Sequence, residues 1–391
     1  MRCLFSLIAL VLLINTASAQ QVLSPNAEIS VLTIGPGASL NDAFGHSGFR
    51  IKDRTQGLDV VYGYGQYDFD APNFYLKFAQ GKLNYLISKH NFEDFYRAYV
   101  YYNRTVKEQV LNITTEEQQA LFNYLQNNYK PENRAYLYDF FYDNCATRIR
   151  DVANTALDQN ITYNTPEDYQ EQTFRTLIQN NLNKNSWGSL GIDIALGSVI
   201  DKTATPNEQL FLPENIYRFF STATLQNGQP LVKQSQVLYT KKEQLGSSSF
   251  LLSPLFILSV LALLIILITY KDYKKKKRSK LLDGIIFSVT GCIGIVLLLL
   301  WFATDHSATA NNYNLLWAFA LNVFIIKQVL KQTPSKWFVR YLSFLIIMLC
   351  LLVFHWLTGV QVFAITLTPL LIALAIRYIV LLRYFKNSTT N

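Results

Sequence analysis

The last third of the chain constrains the fold most, because it is written for a solvent other than water. Apolar runs occupy about 251–270, 281–303, 315–330, 339–357 and 361–382, and each reads as a helix that crosses a bilayer, the third being the shortest. Hydrocarbon offers the backbone no hydrogen-bond partner, so such runs must close their own bonds as helices. The connectors alternate in charge. Lys271 to Arg278, Lys331 to Lys336 and Arg383 to Lys386 are basic, whereas Thr304 to Asn314 contains no Lys or Arg. Five spans with an exported N-terminal part and a cytoplasmic C-terminus satisfy the positive-inside rule at every connector.

Charge follows the same division. Residues 20–250 hold 20 Lys and Arg against 24 Asp and Glu, a net of −4, while residues 251–391 hold 14 against 3, a net of +11. The basic balance thus belongs to the membrane half, which argues against a nucleic-acid partner. At the other end, Met1-Arg2-Cys3, an apolar run Leu4–Ile14 and Ala17-Ser18-Ala19 form the n-region, h-region and cleavage site of a secretory signal peptide over residues 1–19. Residues 20–246 are then an exported domain that ends at the Gly246–Ser249 linker, and 247–391 are the membrane domain.

Cys3 leaves with the signal, and Cys292 and Cys350 lie in apolar runs, so Cys145 has no disulfide partner in the exported part. A lone thiol in an oxidising compartment is a liability unless it has a task. Ala146, Ile149, Val152, Ala153, Ala156 and Leu157 repeat at helical spacing. Asp143 or Asn144 caps that helix and puts Cys145 in its first turn, where free N–H groups and the helix dipole favour a thiolate. The alternative is an inert, buried cysteine. Upstream, strands are expected at Glu28–Ile34, Gly48–Lys52, Leu58–Tyr62, Lys82–Ser88 and Thr105–Leu111, with helices over Asn91–Val100 and from the Thr114–Glu117 capping box to about Asn128. Further helices are expected over about Tyr169–Leu182, Trp187–Ile200 and from Pro213.

His46 opens the second of those strands within Gly45-His46-Ser47-Gly48. A histidine on a strand and a cysteine at a helix start are the two halves of a thiol–imidazole pair, in which His46 deprotonates Cys145 for attack on an acyl carbonyl. Asp59, Tyr62 and Tyr64 on the following strand are available to orient His46, and the spacing does not choose among them. Asn144 either donates to an oxyanion or caps the helix. Arg148 and Arg150 pair with Asp151 or meet a lipid phosphate. Asp305 and His306 lie in the exported loop of the membrane domain, to bind a headgroup or amine or simply to line the interface. His90 reads as a strand-end surface residue and His355 as an interfacial anchor. The aromatic stretch Tyr62 to Tyr85 reads as core or interface surface, part of which could line an acyl groove. No metal-ligand spacing and no phosphate-binding glycine loop is present.

"GHSGFRI" followed far downstream by "DNCATRIRD" resembles the permuted papain-like arrangement of lecithin–retinol acyltransferase-like enzymes, in which His precedes Cys. More closely, "FGHSGFRI", "YGYGQYDFDAPNFYLKFAQGKLNYL", "PENRAYLYDFFYDNCATRIRD" and "DHSATANNYNLLW" resemble the membrane-bound lipoprotein N-acyltransferases of the Bacteroides type. The resemblance implies an α+β, permuted papain-like exported domain followed by an all-α five-span membrane domain. It also implies a reaction without cofactor, in which Cys145 takes an acyl chain from a membrane phospholipid and passes it to the α-amino group of a lipoprotein's lipidated N-terminal cysteine. Two other readings fit the composition: a membrane-anchored thiol peptidase or amidase acting on cell-wall peptides, and a non-catalytic exported scaffold.

Overall fold

The computed structural model describes residues 21–243 and 249–390. The expected signal peptide and most of the Gly246–Ser249 linker lie outside these residues. The N-terminal domain begins with β1 (Glu28–Ile34), β2 (His46–Asp53), β3 (Leu58–Tyr67), α1 (Phe74–Ala79), β4 (Asn84–Asn91), α2 (Phe92–Tyr101), β5 (Val106–Leu111) and α3 (Thr115–Tyr129). It continues with β6 (Ala135–Leu137), α4 (Cys145–Ala156), β7 (Ile161–Thr162), α5 (Phe174–Gln179), α6 (Trp187–Ala195), α7 (Pro213–Thr222), β8 (Thr224–Leu225) and β9 (Val232–Tyr239). Seven strands form one antiparallel sheet in the order β6-β4-β3-β2-β1-β5-β9.

Alternation along the strands divides the sheet into two faces. Ile29, Val31, Phe49, Ile51, Val60 and Tyr62 pack against Leu121, Phe122 and Leu125 of α3, Ile149 and Val152 of α4, and Phe219 and Phe220 of α7. Leu32, Ile34, Val61 and Val106 on the other face pack against Phe95 of α2. Each large apolar side chain buried here contributes roughly 1.5–3 kcal/mol, so the sheet is a rigid platform whose β2 and α4 are pressed together. Arg50, buried on the α2 face, is bound by Asp59 (2.6 Å) and Glu108 (3.0 Å).

The expected strands and the helices starting near residues 91, 115 and 145 occur within a few positions of their expected bounds. Two expected helices are shorter. Only Phe174–Gln179 of the 169–182 stretch is helical, and the helix from Trp187 stops at Ala195 before a turn at Ser198–Ile200. The cause is docking: Gly197 N–H donates to Ala308 O (2.9 Å) and Ser198 N–H to Asn311 O (3.0 Å), both acceptors in the membrane domain.

The membrane domain contains α8 (Pro254–Lys275), α9 (Lys280–Phe302), α10 (Ile326–Leu330), α11 (Lys336–Leu357) and α12 (Thr368–Thr390). Among the described residues, four helices are long and apolar enough to cross a membrane. The 315–330 run is not a continuous helix. It is broken into turns at Tyr313–Leu316 and Ala320–Asn322 before α10. The breaks are shielded from lipid by α9, whose Gly294 lies so near that a Cβ there would meet Ala318 O at 2.1 Å. The buried Asn322 side chain ties the broken segment to its neighbours: its Nδ2 donates to Thr290 Oγ1 (2.9 Å), and Tyr341 O–H donates to its Oδ1 (2.6 Å). Non-helical backbone is tolerated at membrane depth only in such protein-lined surroundings. Arg377 of α12 binds Asp283 of α9 and Asp272 of α8, each at 2.7 Å, and ties three helices together.

The joint between the domains carries many polar bonds. Asn312 Nδ2 donates to Ile194 O (2.8 Å) and Asn314 Nδ2 to Asp193 O (3.0 Å). Arg175 joins Asp193 (3.1 Å) to Asp201 (2.8 Å), and Asp201 Oδ1 in turn accepts from Val362 N–H (3.2 Å).

Candidate active site

Cys145 is the first residue of α4, and the cap before it is built by Asn144. The Asn144 Oδ1 accepts from the N–H groups of Ala146 (2.8 Å) and Thr147 (2.9 Å), and its Nδ2 donates to Phe140 O (2.7 Å) and Phe211 O (2.8 Å). Both amide hydrogens are therefore committed, which makes Asn144 the structural cap and removes it as an oxyanion donor. The groups that face the sulfur are backbone N–H groups of Cys145, Ala146 and Ser47. Ser47 stands on β2 directly after His46, and its fully buried side chain marks how tightly this strand meets α4.

Burial outweighs the helix terminus. The Cys145 thiol is pushed up to about 11 by desolvation, against the opposing effects of those N–H groups and of the Arg104 charge. The His46 imidazole is pushed down to about 4, first by burial and then by the charges of Arg104 and His90. The resting site is thus a neutral thiol beside a neutral imidazole, not the thiolate expected from the helix start alone. A direct consequence is kinetic. Alkylation of Cys145 by iodoacetamide should rise about tenfold per pH unit from pH 7 to pH 9, because the thiolate fraction grows at that rate below its pKa. A rate that is flat across this range would indicate a preformed thiolate.

His46 begins β2 and leans toward β3 and β4. Its Nε2 lies 3.1 Å from where a Cβ on Gly63 would stand, and its ring stacks over Tyr99 with centroids 6.4 Å apart. No hydrogen bond joins the imidazole to Cys145 in this resting arrangement, although both line one cavity. Gly63→Ala would force the ring to move by a few tenths of an ångström. The expected outcome is about a tenfold loss of any activity that passes through Cys145 and His46, with little change in thermal stability, since misplaced catalytic groups cost rate steeply.

None of the residues expected to orient His46 does so by a hydrogen bond. Asp59 is held by Arg50 through two bonds of 2.7 and 2.6 Å. Tyr64 O–H donates to Asn128 Oδ1 (2.6 Å), so although Tyr64 lines the cavity its hydroxyl is turned away. Tyr62 lies on the α3 and α4 face, its hydroxyl without a partner. Arg148 pairs with Asp143, not Asp151, and its guanidinium lies over the Tyr136 ring at 4.3 Å. It is therefore spoken for within the protein. Arg150 does pair with Asp151 (2.7 Å).

Sequence reasoning missed Arg104 and Tyr99. Arg104 is buried, donates from Nε to Gly35 O (2.9 Å), lies over Tyr99 at 4.9 Å and leaves Nη2 without a partner. It is the cation whose field reaches both Cys145 and His46. The only available signal was its position between a helix and a strand, which does not distinguish it from a surface arginine.

The cavity has a volume of about 510 Å³ and a mostly apolar lining. Tyr67, Phe78, Leu83, Tyr85 and Tyr138 form one wall around Cys145 and His46. The membrane domain adds Leu300 of α9 and the loop Asp305–Thr309 to the lining. That loop is held by Asp305 N–H donating to Gln80 O (2.8 Å), His306 Nε2 against Ala79 O (3.2 Å) and Ser307 O–H donating to Asp139 Oδ2 (2.6 Å). Asp305 also lies 4.0 Å from Lys82. His90 is exposed on β4, and the His355 ring packs at a tilt against Tyr313, with centroids 4.5 Å apart. Among the described residues no three His, Cys, Asp or Glu side chains converge as metal ligands.

No curated protein and no solved structure matches the chain. Two family models do, one described as the Lnb N-terminal periplasmic domain over residues 16–180 and one as the Lnb transmembrane domain over 246–388. Together they take in most of the sequence, with six of the seven sheet strands, Cys145 and His46 in the first and the four long apolar helices in the second. The chain therefore belongs to the Lnb family.

Proposed function

We propose that this protein is a thiol-dependent acyltransferase that N-acylates lipoproteins at the periplasmic face of the inner membrane. The observation that carries the reading is the composition of the cavity wall. A cysteine and a histidine share a mostly apolar chamber to which the membrane domain contributes Leu300 and the Asp305–Thr309 loop. A peptidase needs only an anchor, whereas an enzyme whose donor and acceptor are both lipid-bound needs its site at the bilayer.

The steps balance as follows. The Cys145 Sγ attacks the ester carbonyl of a phospholipid while His46 takes the thiol proton. The S–C bond forms, the ester C–O bond breaks, and the proton passes to the departing glycerol oxygen to leave a lysophospholipid. The α-amine of the lipidated cysteine then attacks the thioester. The N–C bond forms, the C–S bond breaks, and the amine proton returns through His46 to the sulfur. The N–H groups of Cys145 and Ser47 are the donors best placed for the developing oxyanion. Apolar walls keep water from resolving the thioester before the amine does. We read the strand histidine and helix-start cysteine as a permuted papain-like plan. The broken 313–330 segment is the fifth crossing, since it starts at the interdomain joint and ends where Arg278 donates to Lys331 O (2.6 Å). This puts the C-terminus in the cytoplasm, in line with the basic connectors.

The experiment is to incubate the full chain, phospholipid vesicles and a diacylglyceryl-cysteine peptide. The expected product is a peptide heavier by one acyl chain, resistant to hydroxylamine as an amide is, with an equal amount of lysophospholipid. Cleaved cell-wall peptide and an unmodified lipopeptide would replace this reading with the peptidase one.

A further inference from the structure

We infer that α1 and the residue run before it, from Phe69 to Phe78, sit in the outer boundary of the bilayer and form the lipid-side entrance to the Cys145 cavity. The proposal rests on the acyltransferase reading for its purpose, though not for its geometry. Four apolar side chains here face outward with high exposure: Phe69 at 74%, Tyr75 at 85%, Leu76 at 57% and Phe78 at 46%. Their rings form one cluster, with Phe69 and Phe74 centroids 5.0 Å apart and Phe74 and Tyr75 5.3 Å apart. A contiguous apolar patch of this kind on an exported domain marks an interaction surface.

The position of the patch identifies what covers it. The turn that ends α1 is bonded to the loop that leaves α9, through Asp305 N–H on Gln80 O (2.8 Å) and His306 on Ala79 O (3.2 Å). Gly81, with φ +71°, brings its backbone so near that a Cβ would meet His306 N at 3.1 Å. The patch is therefore fastened to the periplasmic end of a membrane-spanning helix, whose own last residues Leu299 and Phe302 are 55% and 71% exposed. That height is where aromatic side chains concentrate in membrane proteins, and a short helix with apolar outward residues can sink about 5–10 Å into the headgroup boundary. The only charged residues from Phe69 to Ala79 are Asp70 and Lys77. Phe78 lines the cavity together with Leu300 of α9, so the patch is continuous with the chamber that holds Cys145.

The test places a photoactivatable benzoylphenylalanine at Tyr75 in the full chain, in nanodiscs of phosphatidylethanolamine. A control carries it at Arg54, an exposed position in the β2–β3 turn at the far end of the sheet from His46. Capture of phospholipid at Tyr75 and not at Arg54 is expected. No lipid at Tyr75, capture of a protein there in its place, or equal capture at both positions would overturn the proposal. A second arm uses the triple variant Phe69→Ser, Tyr75→Ser, Leu76→Ser, none of which lines the cavity. Acylation of Cys145 from vesicle phospholipid should fall about tenfold, whereas acylation from a water-soluble short-chain activated ester stays unchanged. Equal loss with both donors would make the patch merely structural and overturn the proposal. If wild type accepts neither donor while lipid is still captured at Tyr75, the acyltransferase reading fails and the membrane placement of α1 stands.

Discussion

Cys145→Ser should abolish acyl-enzyme formation, with a loss of about 10³-fold or more. The substitution is nearly isosteric, so the packing of this side chain against the core and the N–H groups that face it can be kept. The cap is supplied by Asn144 and Thr147 and is untouched. The effect therefore falls on chemistry alone. A serine hydroxyl is far harder to deprotonate than a thiol, and His46, pushed down to about 4 by burial and by Arg104, is too weak a base to compensate. Folding should be unchanged by thermal unfolding in detergent. A variant that retains acyl transfer would make Cys145 the inert cysteine that its burial alone would suggest.

The second large effect concerns the joint. Gly197→Val should lower acyl transfer from membrane phospholipid by about 100-fold while leaving Cys145 open to alkylation. A Cβ at Gly197 would stand 1.8 Å from Ala310 O, a contact with rigid backbone that can be relieved only by separating the domains. Separation would remove Leu300 and the Asp305–Thr309 loop from the cavity wall and unmake the bonds that Ala308 O and Asn311 O accept from Gly197 and Ser198 N–H. Misplacement of this order at a reacting site costs about two orders of magnitude. The measurement is acyl-enzyme yield from vesicles beside the alkylation rate of the same sample. Parallel loss of both would mean that the sheet domain itself had unfolded. Unchanged acylation would mean that the membrane domain is only an anchor.

What could be read from the sequence depended on whether the signal was local. The cap and first turn at Cys145, the capping box at Thr114 and the alternation that makes β1 to β5 are decided by neighbours along the chain, and each was visible. The placement of His46 depends on the absence of a side chain at Gly63, on another strand, and its charge state on burial and on Arg104, which approaches from beyond α2. Neither pairing leaves a mark in spacing. Asp59 looked available because nothing local showed that Arg50 would claim it. The protonation state was misjudged for a related reason. A helix start predicts a thiolate only while solvent reaches the sulfur, and here burial reverses the sign. In the membrane domain, hydropathy located the apolar runs but could not show that Gly291 and Gly294 of α9 admit a broken backbone between residues 313 and 330. The strand β9 was not anticipated, since Val232–Tyr239 is an exposed edge with little apolar alternation.

The most direct measurement is intact-protein mass spectrometry of the full chain in nanodiscs of defined phospholipid, without acceptor. The account predicts an added mass equal to one acyl chain, located on Cys145, released by neutral hydroxylamine and absent from Cys145→Ser. A folded wild-type protein that gains no such mass, or gains it at a residue other than Cys145, would contradict it.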